Sequence, residues 1–240
     1  MTGGSTNVRR RMPVVRLSFQ VPVKYMEALH SEMDFHFALA HLVLRDSSYA
    51  AYFRSHVKFV LLDNGVHELG EPLSMRELLD AAELCNADAI IPPDWHGDGH
   101  KTRWHFRRTV AIFRPGFLWP VVQAATQEEV HECAQEYDLY GVPFICFPYR
   151  LLRKGLRPCP TTKAKWHLLS YDRVEQLPSL AEVATSMDTG KPIRLAQHGL
   201  PFGDVPEGLP KLDMYGELDV ELARANIREL RKRLAAPRTV

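Results

Sequence analysis

Short apolar runs alternate with amphipathic stretches along most of this chain. The clearest unit is Phe59 to Asp94, FVLLDNGVHELGEPLSMRELLDAAELCNADAIIPPD, where Phe59-Val60-Leu61-Leu62 and Ala87 to Ile91 each lead to an aspartate, Asp63 and Asp94. Between the runs, Ser74 and Glu77 have capping-box spacing, and Met75, Leu78, Leu79, Ala82 and Cys85 line one helical face. Strand, helix and strand in that order make a βαβ unit, whose loops at the carboxyl ends of the strands are suited to chemistry. Asn64-Gly65 offers a rival reading, because Asn-Gly between apolar runs also turns a β-hairpin.

The alternation continues on both sides of this unit. Strands are expected in Val14 to Val23, in the apolar run Phe35 to Val43, and in Phe117 to Gln123, Val142 to Phe147, Trp166 to Ser170 and Ala184 to Met187. Helices are expected over Arg45 to His56, Lys101 to Phe113, Leu180 to Ala184 and Asp219 to Leu234, and from the second capping-box pair, Thr126 and Glu129, to about Tyr137. Tyr149 to Lys165 has no clean period and reads as an irregular crossover, and Leu200 to Tyr215 as loop. Eight strands alternating with helices predict a (β/α)8 barrel of the TIM type, a single domain over residues 14–240 behind a flexible basic arm at 1–13. The main rival, an open doubly wound sheet, usually carries a glycine-rich loop after its first strand; none follows Val23.

Composition narrows the classes further. At 240 residues, 45 % hydrophobic and 25 % charged, the chain suits a globular domain, and a net charge of +1 gives no global attraction to nucleic acid. No apolar run reaches the length of a membrane span, and Met1 to Arg11 is not a secretory signal, so a cytoplasmic location is expected. Cys85, Cys133, Cys146 and Cys159 form no C-x2-C pair, which points to buried free thiols and gives no support to a zinc site.

Polar residues recur at the expected strand ends: Asp63, Asp94, Gln123 and Asp188. A strand-terminal Asp is commonly just a turn or cap residue, but four polar groups on one barrel rim form a constellation. Carboxylates brought close together push their pKa values apart, giving one acid and one ionised nucleophile.

The run LLDNGVHELG resembles the L-D-S-G-G-F-type signature of tRNA-guanine transglycosylases, and more nearly that of their phage and bacterial relatives, the 7-deazaguanine DNA transglycosylases. IIPPD, PVVQAAT, GVPFICFP, WHLLS and SMDTGKP follow in the family's order, so the likeness extends from about Phe59 to Pro192. The resemblance implies a barrel that replaces guanine by a 7-deazaguanine of the preQ0 type through a covalent aspartyl-glycosyl intermediate, with no cofactor and no catalytic metal. It implies Asp188 as nucleophile and Asp63 as general acid/base, with Asp94 and Gln123 reading the base beside Asn64 and Gly65. Departures are visible. The second glycine of the signature is Val66, Gln123 precedes Ala124-Ala125 where glycine is usual, and the zinc subdomain of the tRNA enzymes is missing. That last absence favours DNA over tRNA. A target base in a duplex would have to be flipped out, and Arg103, Arg107, Arg150, Arg153 and Lys154 are the candidate phosphate contacts.

Two other classes compete. Asp94, His96, Asp98, His100 and His105 form a run of possible ligands for a metal-dependent barrel hydrolase, though without H-x-H or H-E-x-x-H spacing. A barrel that binds nucleic acid or a base without turnover is the third. Sequence leaves open the particular base, the DNA context, any partner requirement and the oligomeric state.

Overall fold

A computed structural model describes residues 16–18, 23–169 and 196–198, together with helical positions 220, 221, 224, 225 and 228. In chain order the elements are β1 (Arg16–Ser18), α1 (Val23–Leu29), β2 (His36–Leu39), α2 (Ala40–Arg45), α3 (Ser47–Ser55), β3 (Val60–Asp63), α4 (Val66–Leu69), α5 (Met75–Cys85), β4 (Ala89–Ile90), α6 (Gly99–Val110), α7 (Gln127–Leu139), β5 (Phe144–Pro148), α8 (Tyr149–Arg153), β6 (Lys165–Leu169) and β7 (Ala196–His198). The expected N-terminal arm, the helix at 180–184 and the strand at 184–187 fall outside the described residues.

The fold is α/β, and every strand pairing is parallel. One sheet runs β2-β3-β4 and another β1-β7-β6-β5. The hairpin reading of Asn64-Gly65 is therefore overturned: Leu61 and Leu62 of β3 pair in parallel with Ala89 and Ile90 of β4. Parallel neighbours need a crossover, and α5 supplies it. Ser74 caps α5 as expected, with its hydroxyl accepting from Glu77 N while Glu77 Oε2 accepts from Ser74 N. Leu78, Ala81, Ala82 and Cys85 form its buried face, so Ala81 goes deeper than the anticipated Leu79.

The fifth strand is not continuous. Pro115–Phe117 is a 3-10 turn, and only two isolated parallel bridges follow, Ile90 with Leu118 and Val121 with Cys146. Pro120 explains this, since it has no N–H to give to a ladder. The segment still touches both neighbours: Trp119 N donates to Ile90 O, and Cys146 N to Pro120 O. Through it the parallel order continues from β2 to β1, although no β1–β2 pairing closes the circle among the described residues.

Two further differences concern boundaries. The run at Phe35 leaves the strand at Leu39 and turns directly into α2. The place between β6 and β1, where an eighth strand was expected from Ala184 to Met187, is held by β7. β7 is only three residues, Ala196-Gln197-His198, too short to show a period of two in the sequence.

Both faces of β2, β3 and β4 are buried. One apolar cluster joins the strands to the helices through Val60, Leu62, Ile90, Ile145 and Phe147, packed on Phe53, Leu78, Phe106 and Tyr137. The other takes alternate residues from successive strands: Phe37 and Leu39, Leu61, Ala89, Trp119 and Val121, Cys146 and Leu169. Asp63 lies two residues beyond Leu61, and Gln123 two beyond Val121, so both continue this second face at the carboxyl end. All four cysteines are buried and unpaired, with the thiols of Cys85 and Cys133 pushed up to about 12 by burial. No helix among the described residues is long and apolar enough to cross a membrane.

Candidate functional site

β3 delivers the first residues. All of Val60–Asp63 is buried, and Asp63 is 1 % exposed. The chain then turns sharply. Asp63 Oδ2 accepts from Gly65 N at 3.0 Å, and Asn64 Oδ1 accepts from Val66 N at 2.9 Å. Gly65 has φ 76°, and a Cβ there would lie 3.2 Å from His41 Nδ1. A side chain at 65 would thus be strained and crowded together. Val66, standing where the family signature has its second glycine, is buried and opens α4, so that glycine is not needed for this turn.

Asn64 ties β3 to the loop after β4. Its Nδ2 donates to Pro92 O at 2.9 Å and to Asp94 Oδ1 at 2.6 Å. Asp94 is 2 % exposed, and its Oδ2 accepts from Gln123 Nε2. Gln123 Oε1 in turn accepts from Gly97 N at 3.3 Å and from an Arg150 guanidinium N–H. Each amide orientation follows from its partners: both nitrogens face the carboxylate, and both oxygens face N–H groups. Burial raises the Asp94 pKa, while the Asn64 and Gln123 hydrogen bonds and the Arg150 charge pull it the other way. The result is a carboxyl group on which two amides and a cation converge.

The neighbourhood is tightly fitted. A Cβ at Gly99 would come within 2.1 Å of Gln123 O, so only glycine lets the start of α6 approach there. Cys146 lies within electrostatic reach of both Asp94 and Asp63, and burial followed by these two carboxylates pushes its thiol well above the ordinary range. Asp63, Asn64, Asp94 and Gln123 therefore belong to one locality, with Arg150 joining them from α8.

Three histidines at this rim were given no part in the base-binding set read from sequence. His41 is 8 % exposed, and its Nδ1 has no hydrogen-bond partner among the described residues. The rings of His67 and His96 lie 6.1 Å apart, and His96 is drawn down to about 4 by desolvation, then by Arg150 and His67. His41 and His67 both stand one or two residues past a strand end or a turn, which is the only signal the sequence offers for them.

The remaining expected residues are distributed differently. Arg103 Nη1 pairs with Glu132 Oε2 at 3.0 Å, and Arg107 forms a two-pronged pair with Glu136 at 2.6 and 2.7 Å, both across α6 and α7. Arg150, expected on phosphate, turns inward to Gln123. Arg153 ends α8 and Lys154 follows at an exposed position. The run of possible metal ligands disperses: Asp94 holds amides, Asp98 caps α6 by accepting from Lys101 N, and His105 packs against Trp95. Among the described residues no three His, Cys, Asp or Glu side chains are grouped to hold an ion. Asp188 lies outside the described residues.

No protein-family model matches this chain, and no curated protein matches it. Among solved structures it is similar to a phosphoribosyl anthranilate isomerase in complex with reduced 1-(o-carboxyphenylamino)-1-deoxyribulose 5-phosphate, with 11 % identity, a TM-score of 0.47 and coverage of 90 % of this chain and 99 % of that one. It is likewise similar to a thiamine phosphate pyrophosphorylase from Pyrococcus furiosus, with 12 % identity, a TM-score of 0.47 and coverage of 93 % and 98 %.

Proposed function

We propose that this chain is a (β/α)8 barrel enzyme that exchanges guanine in DNA for a 7-deazaguanine base. The barrel reading is supported by two parallel sheets linked through the isolated bridges at Leu118 and Val121, with one apolar cluster fed by alternate residues of successive strands. The observation that carries the activity is the buried Asp94 carboxylate framed by Asn64, Gln123 and Arg150 beside buried Asp63. A guanine-type base presents N1–H and an exocyclic amine along one edge. A carboxylate oxygen accepts more than one hydrogen bond, so Asp94 can receive that edge while the two amides hold it in plane.

In this reading Asp188 attacks the sugar C1′ and the bond from C1′ to the base nitrogen breaks. The departing nitrogen takes the proton of the Asp63 carboxyl group. The ionised Asp63 then removes a proton from the same nitrogen of the incoming base, which attacks C1′ and releases Asp188. Two inversions retain configuration. Atoms and charge balance without a redox partner.

The test is incubation of the protein with DNA, or tRNA, and a panel of 7-deazaguanine bases, followed by mass spectrometry of the nucleosides. Wild type is expected to insert a base into DNA, and Asp188→Ala and Asp63→Ala to insert none. Absence of exchange into either nucleic acid by the wild-type protein would overturn the reading.

A further inference from the structure

α6 carries a feature that the pocket does not use. Trp95, the residue after Asp94, packs against His105 with ring centroids 4.2 Å apart and planes tilted by 37°, and His105 meets Trp104 in a T-shaped contact at 4.6 Å. A cation closes each end: Lys101 Nζ lies 4.3 Å from the Trp95 ring centre, and the Arg108 guanidinium 4.6 Å from that of Trp104. Lys101, Trp104, His105 and Arg108 fall at helical spacings of three and four, so they share one side of α6. This makes a continuous ladder of cation, three rings and cation.

The ladder faces outward and is not neutralised. Trp104 is 50 % exposed, and residues 99–113 contain no Asp or Glu. Arg103 and Arg107 are matched by Glu132 and Glu136, whereas Lys101 and Arg108 make no ion pair among the described residues. Among the described residues the carboxylate bonded to the ladder is Glu71, whose Oε2 accepts from Trp95 Nε1 at 2.6 Å and so fixes that ring. Position matters as much as composition. Gly97 N donates to Gln123 Oε1 and Thr102 Oγ1 accepts from Trp95 N, so the loop that begins the ladder is fastened to the pocket.

We infer that this face of α6 is a docking surface for single-stranded nucleic acid, holding the nucleotides that flank the one in the pocket. Exposed rings stack on bases whatever their sequence, and cations beside the rings meet the phosphates. Neither a duplex, whose base faces are covered, nor an acidic protein, which needs no rings, fits the alternation as well. The choice of nucleic acid rests on the base-exchange reading; the binding itself does not.

The experiment is fluorescence anisotropy of a labelled single-stranded 20-mer DNA with the full chain. Trp104→Ala should weaken binding about tenfold, the size of losing one stacked base, and Trp104→Phe should restore most of it. The double change Lys101→Glu with Arg108→Glu should lower the slope of log affinity against log salt by about 1.4. Wild-type protein that binds the strand but exchanges no base overturns the pocket reading and leaves this one standing. Two results would overturn the surface: affinity unaltered by Trp104→Ala, or Trp104-dependent sedimentation with phosphatidylserine vesicles in place of strand binding.

Discussion

The carboxyl-end rim and the amino ends of β2 and β3 both bury polar side chains at a cost to the charged form, yet they differ in what stands against that cost. At the rim, burial raises the Asp94 pKa, but hydrogen bonds from Asn64 and Gln123 to its two oxygens and the Arg150 charge oppose that rise. At the amino end, His36 packs against His30 at 5.1 Å, Tyr52 at 5.3 Å and Phe53 at 5.6 Å, is fully buried, and has no partner for either ring nitrogen among the described residues. Desolvation, then the charges of His30, Lys58 and His56, draw it down to about 3. Lys58 stands here as a cation, donating to His30 O and Met33 O. His56 faces Glu27 at 3.0 Å, and Tyr52 O–H donates to Met26 O, which leaves His30 Nδ1 to donate to the Tyr52 oxygen. The difference separates a site from packing. At the rim, donors converge on the buried carboxyl group and offset part of its burial cost, whereas rings without donors hold an imidazole neutral.

The sharpest way to break this contrast is Asp94→Asn. The change keeps the shape but sets an N–H against one of the two amide nitrogens, and it removes the acceptor that a base would use. Under the base-exchange reading kcat/KM should fall by about 1000-fold, roughly 4 kcal/mol of transition-state stabilisation. Steady-state exchange of labelled guanine checks it. A loss below tenfold would mean that the amide frame is architecture only.

Gly99→Ala asks how rigidly the rim is held. Its Cβ would meet a backbone oxygen, Gln123 O, at 2.1 Å, and neither strand end nor helix start can yield easily. We expect about 3 kcal/mol of destabilisation by urea unfolding, at the upper end of overpacking effects. Gly141→Ala, with nothing within 4 Å but a φ of 76°, should cost about 1 kcal/mol and serves as the control for backbone strain alone.

What could be read ahead of the structure follows from how local each signal is. The Ser74–Glu77 box is confined to four residues and stands as anticipated. Thr126 caps α7 as expected, but Glu129 reaches past it to Ala125 N, because a side chain three residues along can reach either amide. Asp63, Asp94 and Gln123 were legible because strand ends are legible, and all three lie in one buried locality. Arg150 was not, since its turn toward Gln123 depends on where α8 lies against the strands, a contact between residues 27 apart. The strand at Ala196 was missed because three residues leave almost no periodic signal, and Ala184 to Met187 offered a competing stretch.

At the amino end the expected effects are smaller and opposite in sign. The folded protein holds His36 near 3, against 6.5 for the free side chain, so folding favours its neutral form. That stability is complete above 6.5 and is lost as the pH falls from 6.5 toward 3, since the unfolded chain then binds a proton that the fold refuses. Between pH 7 and pH 5 His36 alone should remove about 2 kcal/mol. His36→Phe isolates this share: the wild-type minus variant difference in unfolding free energy should change by that amount over the same interval. At pH 7 the variant should also be about 1 kcal/mol more stable, because two ring nitrogens without partners give way to carbon in a pocket of rings. Exchange activity at pH 7 should be unaltered, since His36 begins β2 and Asp63 ends β3 at the other end of the strands. Destabilisation at pH 7 would show that His36 holds a polar contact the rings conceal, and the division between the two clusters would then fail.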